Sequence, residues 1–222
     1  MLPDPQTAVA RCYSLIDIGT IPNIYKGQLQ GIVRKIYVTW EFPGLKAIFN
    51  DDKGEEPFVI GQELTLSTSE NSNLAKLISH WRNKPLTAEE QKGFDVAVMV
   101  NKTALISFVH NTKSKFKGQT ITEVTNENTA LKFNGILPKP KEMECPPMLN
   151  PKMVWDWDVI ESKDQFNAEM FMKIPRWLRN KIMESDEFKK FGYDPDNQDS
   201  GSGSSAAPVE DNSPVAEEGD GW

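Results

Sequence analysis

From Gly31 to Phe42 the chain reads Gly-Ile-Val-Arg-Lys-Ile-Tyr-Val-Thr-Trp-Glu-Phe, with Ile36, Val38, Trp40 and Phe42 recurring at a spacing of two. Successive side chains of a strand point to opposite faces, so this spacing gives one face to a core. The β-branched and aromatic content agrees, and Pro43-Gly44 closes the run. Arg11 to Gly19 and Phe58 to Ser67 read as two further strands. A break is expected between the first two at Ile21-Pro22-Asn23.

A helix follows. Asn71 or Ser72 can cap it, and Leu74, Leu77, Ile78 and Trp81 fall at i, i+3, i+4 and i+7, one side of an α-helix that Pro85 stops. Thr87-Ala88-Glu89-Glu90 has the capping-box pattern of another short turn. The pattern then returns to β: residues 103–110, a loop at 111–118, a strand from Gln119 to Val124, and a last β segment from Phe133 to Lys141. Three strands, a helix, then strands again describes a mainly β (α+β) body shaped as a small closed barrel with one inserted helix. A sandwich is the rival architecture. Residues 143–192 read as a peripheral extension: Pro146, Pro147 and Pro151 keep the chain extended, and Trp155-Asp156-Trp157-Asp158 suits an edge strand. A helical region lies between Phe166 and Phe188, restarted at Pro175, with Trp177, Leu178, Ile182 and Met183 on one face.

Charge divides the chain sharply. Of 222 residues, 32 are acidic and 25 basic. Asp194, Asp196, Asp199, Glu210, Asp211, Glu217, Glu218 and Asp220 form an acidic stretch without Lys or Arg, and removing these eight leaves 24 acids against 25 bases in residues 1–192. A near-neutral body permits a cationic groove on one face. Rich in Gly, Ser and Pro, residues 193–222 have little to bury against the entropy of ordering, so they read as a disordered tail. Yet the tail ends on Trp222, the largest apolar side chain. The chain thus divides into a body (1–142), an extension (143–192) and a tail (193–222).

No apolar stretch is long enough to cross a membrane as a helix, and the N-terminus lacks a signal-peptide pattern. A reducing cytoplasm is therefore expected, with Cys12 and Cys145 as free buried thiols. Catalysis finds little support. His80 and His110 have no ligand spacing, and no phosphate-loop, dinucleotide or nucleophile-elbow motif occurs. Asp156 and Asp158 alternate with tryptophans, the ordinary pattern of a half-buried strand. No cofactor or metal is expected.

Nucleic-acid binding has better candidates. Lys113, Lys115 and Lys117 alternate around Phe116 between two β segments. Lysines neutralise phosphates and an aromatic ring stacks on a base. A solvated hairpin tip would carry the same charges. Arg34, Lys35, Lys139 and Lys141 are further cationic candidates, and Tyr25, Tyr37, Trp40 and Phe42 include stacking candidates, of which Tyr25 and Tyr37 rank above Trp40 because a phenol tolerates a half-exposed groove. The stretch from Lys173 to Lys190, with Arg176, Arg179 and Lys181, could meet phosphate or a partner, but the interspersed Glu184, Asp186 and Glu187 favour a solvated face. In the tail, Glu217, Glu218, Asp220 and Trp222 make a polyanion with an aromatic tip, suited to a groove of the same molecule or to a pocket on another protein.

This acidic tail ending in an aromatic resembles those of bacterial and bacteriophage single-stranded-DNA-binding proteins. Residues 10–20, 105–111 and 134–141 are also similar to phage replication-module proteins of that kind. Two departures stand out: the chain ends in Trp222 where many relatives end in Phe, and residues 150–192 have no counterpart in the smallest barrels. The resemblance implies an oligonucleotide/oligosaccharide-binding (OB) barrel. It implies a non-enzymatic protein of the infected bacterial cytoplasm, with single-stranded DNA in its groove and replication or recombination proteins recruited by its tail, and with homo-oligomerisation open. Two alternatives are a phage recombination mediator or annealing protein, and a virion or assembly protein without DNA affinity.

Overall fold

The computed structural model describes residues 2–112, 115–116, 119–120, 129–160 and 165–192. The fold is mainly β. Strands β1 (Gln6–Tyr25), β2 (Gln28–Asn50) and β3 (Gly54–Thr65) form an antiparallel meander, and helix α1 (Asn73–Arg82) follows. Strand β4 (Thr103–Thr112) returns to pair with the start of β1, and β7 (Thr129–Leu137) pairs with β4. Between them lie the two-residue strands β5 (Lys115–Phe116) and β6 (Gln119–Thr120), paired with each other. Strand β8 (Met153–Trp155) runs parallel to β1 beside Ser14, Leu15 and Ile16, beyond the point where β4 leaves it. The main sheet order is β3-β2-β1-β4-β7, with β8 off this path.

The sheet is strongly curled. Trp40 on β2 stacks on Phe133 of β7 with ring centroids 5.6 Å apart, and Phe42 meets Phe108 of β4 at 5.1 Å. The outer strands β3 and β7 approach each other, but among the described residues no hydrogen-bonded ladder joins them. The closed barrel expected from the element order is thus replaced by an open six-stranded sheet. Pro57 lies within the outer strand β3, where a residue without an N–H is tolerated.

Ile36, Val38, Trp40 and Phe42 are all fully buried, as their spacing predicts. Helix α1 covers this inner face with Leu74, Leu77, Ile78 and Trp81, all buried. Ser72 is its N-cap, accepting from Ala75 N at 3.1 Å. Trp81 Nε1 donates to Thr103 O at 2.7 Å and ties the helix to β4. Thr87 and Glu90 exchange the two capping-box hydrogen bonds, at 2.7 and 3.2 Å, within a turn.

Strand β1 is buried on both faces from Ser14 to Gly19. Ala10, Cys12 and Leu15 join the core under α1, whereas Ile16, Ile18 and Ile21 enter a second core with Trp155, Trp157, Phe171, Leu178, Ile182 and Phe188. The extension supplies that second core through β8 and three short helices, α2 (Ala168–Lys173), α3 (Arg176–Met183) and α4 (Asp186–Phe191). Trp177 departs from the expected apolar face, being 48% exposed beside buried Leu178 and Ile182. Glu41, fully buried, accepts from Leu149 N, Asn150 N and Asn150 Nδ2 at 2.7, 2.8 and 2.7 Å, holding the crossing segment to the sheet. Among the described residues no helix is long and apolar enough to cross a membrane.

Strand β1 does not break at Pro22. It continues to Tyr25 and turns through Lys26 and Gly27 directly into β2, the register shift between Pro22 and Ile24 absorbing the irregularity. Both turn residues have positive φ, 50° and 78°, the conformation a two-residue hairpin requires.

Candidate nucleic-acid interface

On the outer face of β2 and β3 lies a groove of about 650 Å³, its wall including Tyr13, Tyr37, Thr39, Val59, Gly61 and Trp177. The period of two that buries Ile36 and Val38 turns Tyr37 outward between them. Its ring lies across β3 at Gly61, where an added Cβ would fall inside the phenol. Trp177, projecting from α3, meets Tyr37 edge-on, with centroids 5.0 Å apart and planes at 81°. Edge-to-face pairing suits the ring quadrupoles and fixes both orientations.

A charge cluster borders these rings. Glu63 accepts from Lys35 at 2.9 Å and is also paired with Lys181. Lys181 sits one helical turn beyond Trp177, its Nζ 5.7 Å from the ring centroid. Burial raises the Glu63 carboxyl, but the two ammonium groups outweigh that and hold it below its ordinary value. Burial and then the charge of Glu63 raise the Tyr37 phenol, while burial and then Glu41 push Tyr13 up to about 12. Both phenols are therefore neutral hydrogen-bond donors at neutral pH.

The groove holds Tyr37 and borders on Lys35, and the remaining candidates lie elsewhere. Arg34 faces the extension: its Nε donates to Asp17 at 2.9 Å, Nη1 to Asp158 at 2.8 Å, and Asp156 lies 3.8 Å away. Three carboxylates thus already meet its charge. Asp156 and Asp158 belong to that network; the expected edge strand ends at Trp155 and gives way to a 3-10 turn over Trp157–Val159 that Asp156 caps, with Trp155 and Trp157 both buried. Tyr25 is 63% exposed at the β1–β2 turn, under Lys26. Lys139 donates to Pro140 O and Met143 O and closes a local turn, while Lys141 is exposed. Lys115 and Phe116 constitute β5. Lys113, Lys117 and the tail residues Glu217, Glu218, Asp220 and Trp222 lie outside the described residues. Trp40 and Phe42 are core residues.

The sequence did not mark Tyr13 or Trp177 for a groove, and offered Lys181 as a phosphate contact only as the weaker reading of a solvated helix face. A signal for the last two exists: Leu178 and Ile182 define the buried side of α3, which leaves the i,i+4 pair Trp177 and Lys181 on its margin. Among the described residues no three His, Cys, Asp or Glu side chains gather as a metal site. His110 Nε2 contacts Pro3 O at 2.8 Å, and His80 is exposed at the end of α1. Cys12 and Cys145 are free thiols, the first buried and the second partly so. Comparison with protein-family models, curated proteins and solved structures gives no match.

Proposed function

We propose that this chain is a non-enzymatic single-stranded-DNA-binding protein with an OB-like body, of the kind bacteriophages use in DNA replication and recombination. The observation that carries the reading is the connectivity: a three-strand meander, a helix, a fourth strand returning beside the first, and a fifth beside the fourth. An OB fold is a partly open five-stranded Greek-key barrel that binds oligonucleotides on strands 2 and 3 and on the loops joining strands 1–2 and 4–5. Here those elements are β2 and β3 with Tyr37, the β1–β2 turn with Tyr25 and Lys26, and the β4–β7 connection with Lys113, Lys115, Phe116 and Lys117. Tyr37, Tyr25, Lys35 and the lysines of the β4–β7 connection thus belong to segments that such a body uses, whereas Lys139 and Lys141 follow β7.

In this reading bases stack on Trp177 and Tyr37 and lysines meet the phosphates, with little sequence preference. The tail competes for the groove as a polyanion, leaves it when DNA binds, and then offers Glu217, Glu218, Asp220 and Trp222 to replication or recombination proteins. The test is fluorescence anisotropy of a labelled oligo-dT against a duplex of equal length at low salt. Binding to oligo-dT with weaker duplex binding supports the reading. No binding to oligo-dT overturns it.

A further inference from the structure

The groove is electrically uneven along its length. Lys35, Tyr37, Thr39 and Glu41 succeed one another on the outer face of β2, with Glu63, Gly61 and Val59 of β3 opposite the last three. At about 3.3 Å per residue, Lys35 stands roughly 20 Å from Glu41. The cations Lys35 and Lys181 meet at Glu63, near the first end. The other end carries acceptors. Asn150 lines the groove there, and its Nδ2 is committed to buried Glu41 at 2.7 Å, which leaves the carbonyl oxygen Oδ1 for a ligand. Glu56, three residues before Val59, is a half-buried residue of the wall, and among the described residues its carboxylate has no hydrogen-bond or ion-pair partner. The adjoining β2–β3 turn adds Asp51, Asp52 and Glu55 against Lys53. Such an end repels phosphates, so what it can take from a nucleic acid is the edge of a base.

We infer that the Glu56–Asn150 end of the groove reads base identity, favouring a base with an exocyclic amino group, such as cytosine, over uracil or thymine. This preference rests on the nucleic-acid reading above and is laid over a stacking site that tolerates any base. A carboxylate and an amide oxygen accept hydrogen bonds and do not donate them. The N4 amino group of cytosine donates, and an acidic side chain is its ordinary partner. Uracil and thymine carry a carbonyl oxygen at the same position, which would face the lone pairs of Glu56 or Asn150 with no proton between them. Leaving such groups unpaired in a half-buried groove costs more than the hydrogen bond itself contributes. The hydroxyls of Tyr13 and Tyr37 do not blur the distinction, because the O2 atom to which they can donate is shared by cytosine and uracil.

The test is fluorescence anisotropy of the full chain at low salt with labelled oligo-dC and oligo-dU of equal length, and with the Glu56→Gln variant alongside. These two bases differ only in the substituent at position 4 and the proton on N3 that goes with it. The wild type should bind oligo-dC about fivefold more tightly than oligo-dU. In Glu56→Gln, whose amide can donate as well as accept, the ratio should fall towards one with the melting temperature unchanged. Equal affinity of the wild type for the two oligonucleotides overturns the inference and leaves the nucleic-acid reading standing. A preference for oligo-dC that survives undiminished in Glu56→Gln does the same. Binding of neither oligonucleotide overturns the nucleic-acid reading and the base preference with it.

Discussion

Two glycines show how much of this structure turns on single atoms. Gly19 has φ +89°, and a Cβ there would meet Glu187 Oε2 at 2.6 Å and Ser185 Cβ at 2.7 Å, so α4 docks on β1 only because the side chain is missing. Gly19→Ala should cost about 2–3 kcal/mol, a fall of roughly 6 °C in melting temperature. Gly61→Ala should displace the Tyr37 ring and break its contact with Trp177, costing about 1 kcal/mol and altering tryptophan emission. Glu63 holds two cations that a bound phosphate would otherwise use. Glu63→Gln should therefore raise oligo-dT affinity and steepen the dependence of log Kd on log salt by about one unit, as measured by anisotropy. A weaker complex would count against placing Lys35 and Lys181 in the interface. At this scale the core was legible, because a spacing of two names Ile36, Val38, Trp40 and Phe42 without knowledge of their neighbours. The ion pairs were not: Arg34 looked like a phosphate ligand until the fold brought Asp158, 124 residues away, to its guanidinium.

The extension is held at the level of elements by carboxylates as well as by its apolar core. Glu187 at the start of α4 accepts from both the amide and the hydroxyl of Thr20, each at 2.6 Å, and Glu63 links β3 to Lys181 on α3. Partial burial raises the Glu187 carboxyl, but the Thr20 hydrogen bonds prevail and hold it below the ordinary value of 4.5, as the lysines do for Glu63. Depressed carboxyls contribute stability that is complete above 4.5 and is lost as pH falls through their folded-state values. Asp17 runs the other way: burial raises it despite Arg34, so its contribution grows on acidification. Trp155, Trp157 and Trp177 lie in the affected region, and their emission should report loosening of α3 and α4 as pH drops below about 4.5. Glu187→Gln should flatten that acid limb, and an unchanged limb would contradict the assignment. Helix α1 was legible down to its Ser72 cap because its signals are local. The continuation of β1 through Pro22 was not, because a register shift depends on the partner strand and leaves no mark in composition.

Across the whole molecule, charge is segregated: residues 1–192, with 24 acids and 25 bases, precede a stretch of eight acids. That segregation is a property of the sequence itself. The strand order was not legible, since the return of β4 to the start of β1 is a long-range pairing that no local pattern records. Neither was the groove, whose rings come from β1, β2 and α3, chain segments up to 164 residues apart between Tyr13 and Trp177. If the tail shields the groove, removal of residues 193–222 should leave oligo-dT affinity unchanged or stronger while abolishing capture of replication or recombination proteins, and a loss of DNA affinity would oppose it. The central claim is that single-stranded DNA lies on the Tyr37–Trp177 face with its phosphates neutralised by lysines. A salt titration of poly-dT binding, followed by intrinsic tryptophan fluorescence on the full chain and on Trp177→Phe, tests it most directly. Quenching that is mostly lost in the variant, with affinity falling steeply as salt rises, is the predicted result. Full quenching in Trp177→Phe, or an affinity indifferent to salt, would contradict it.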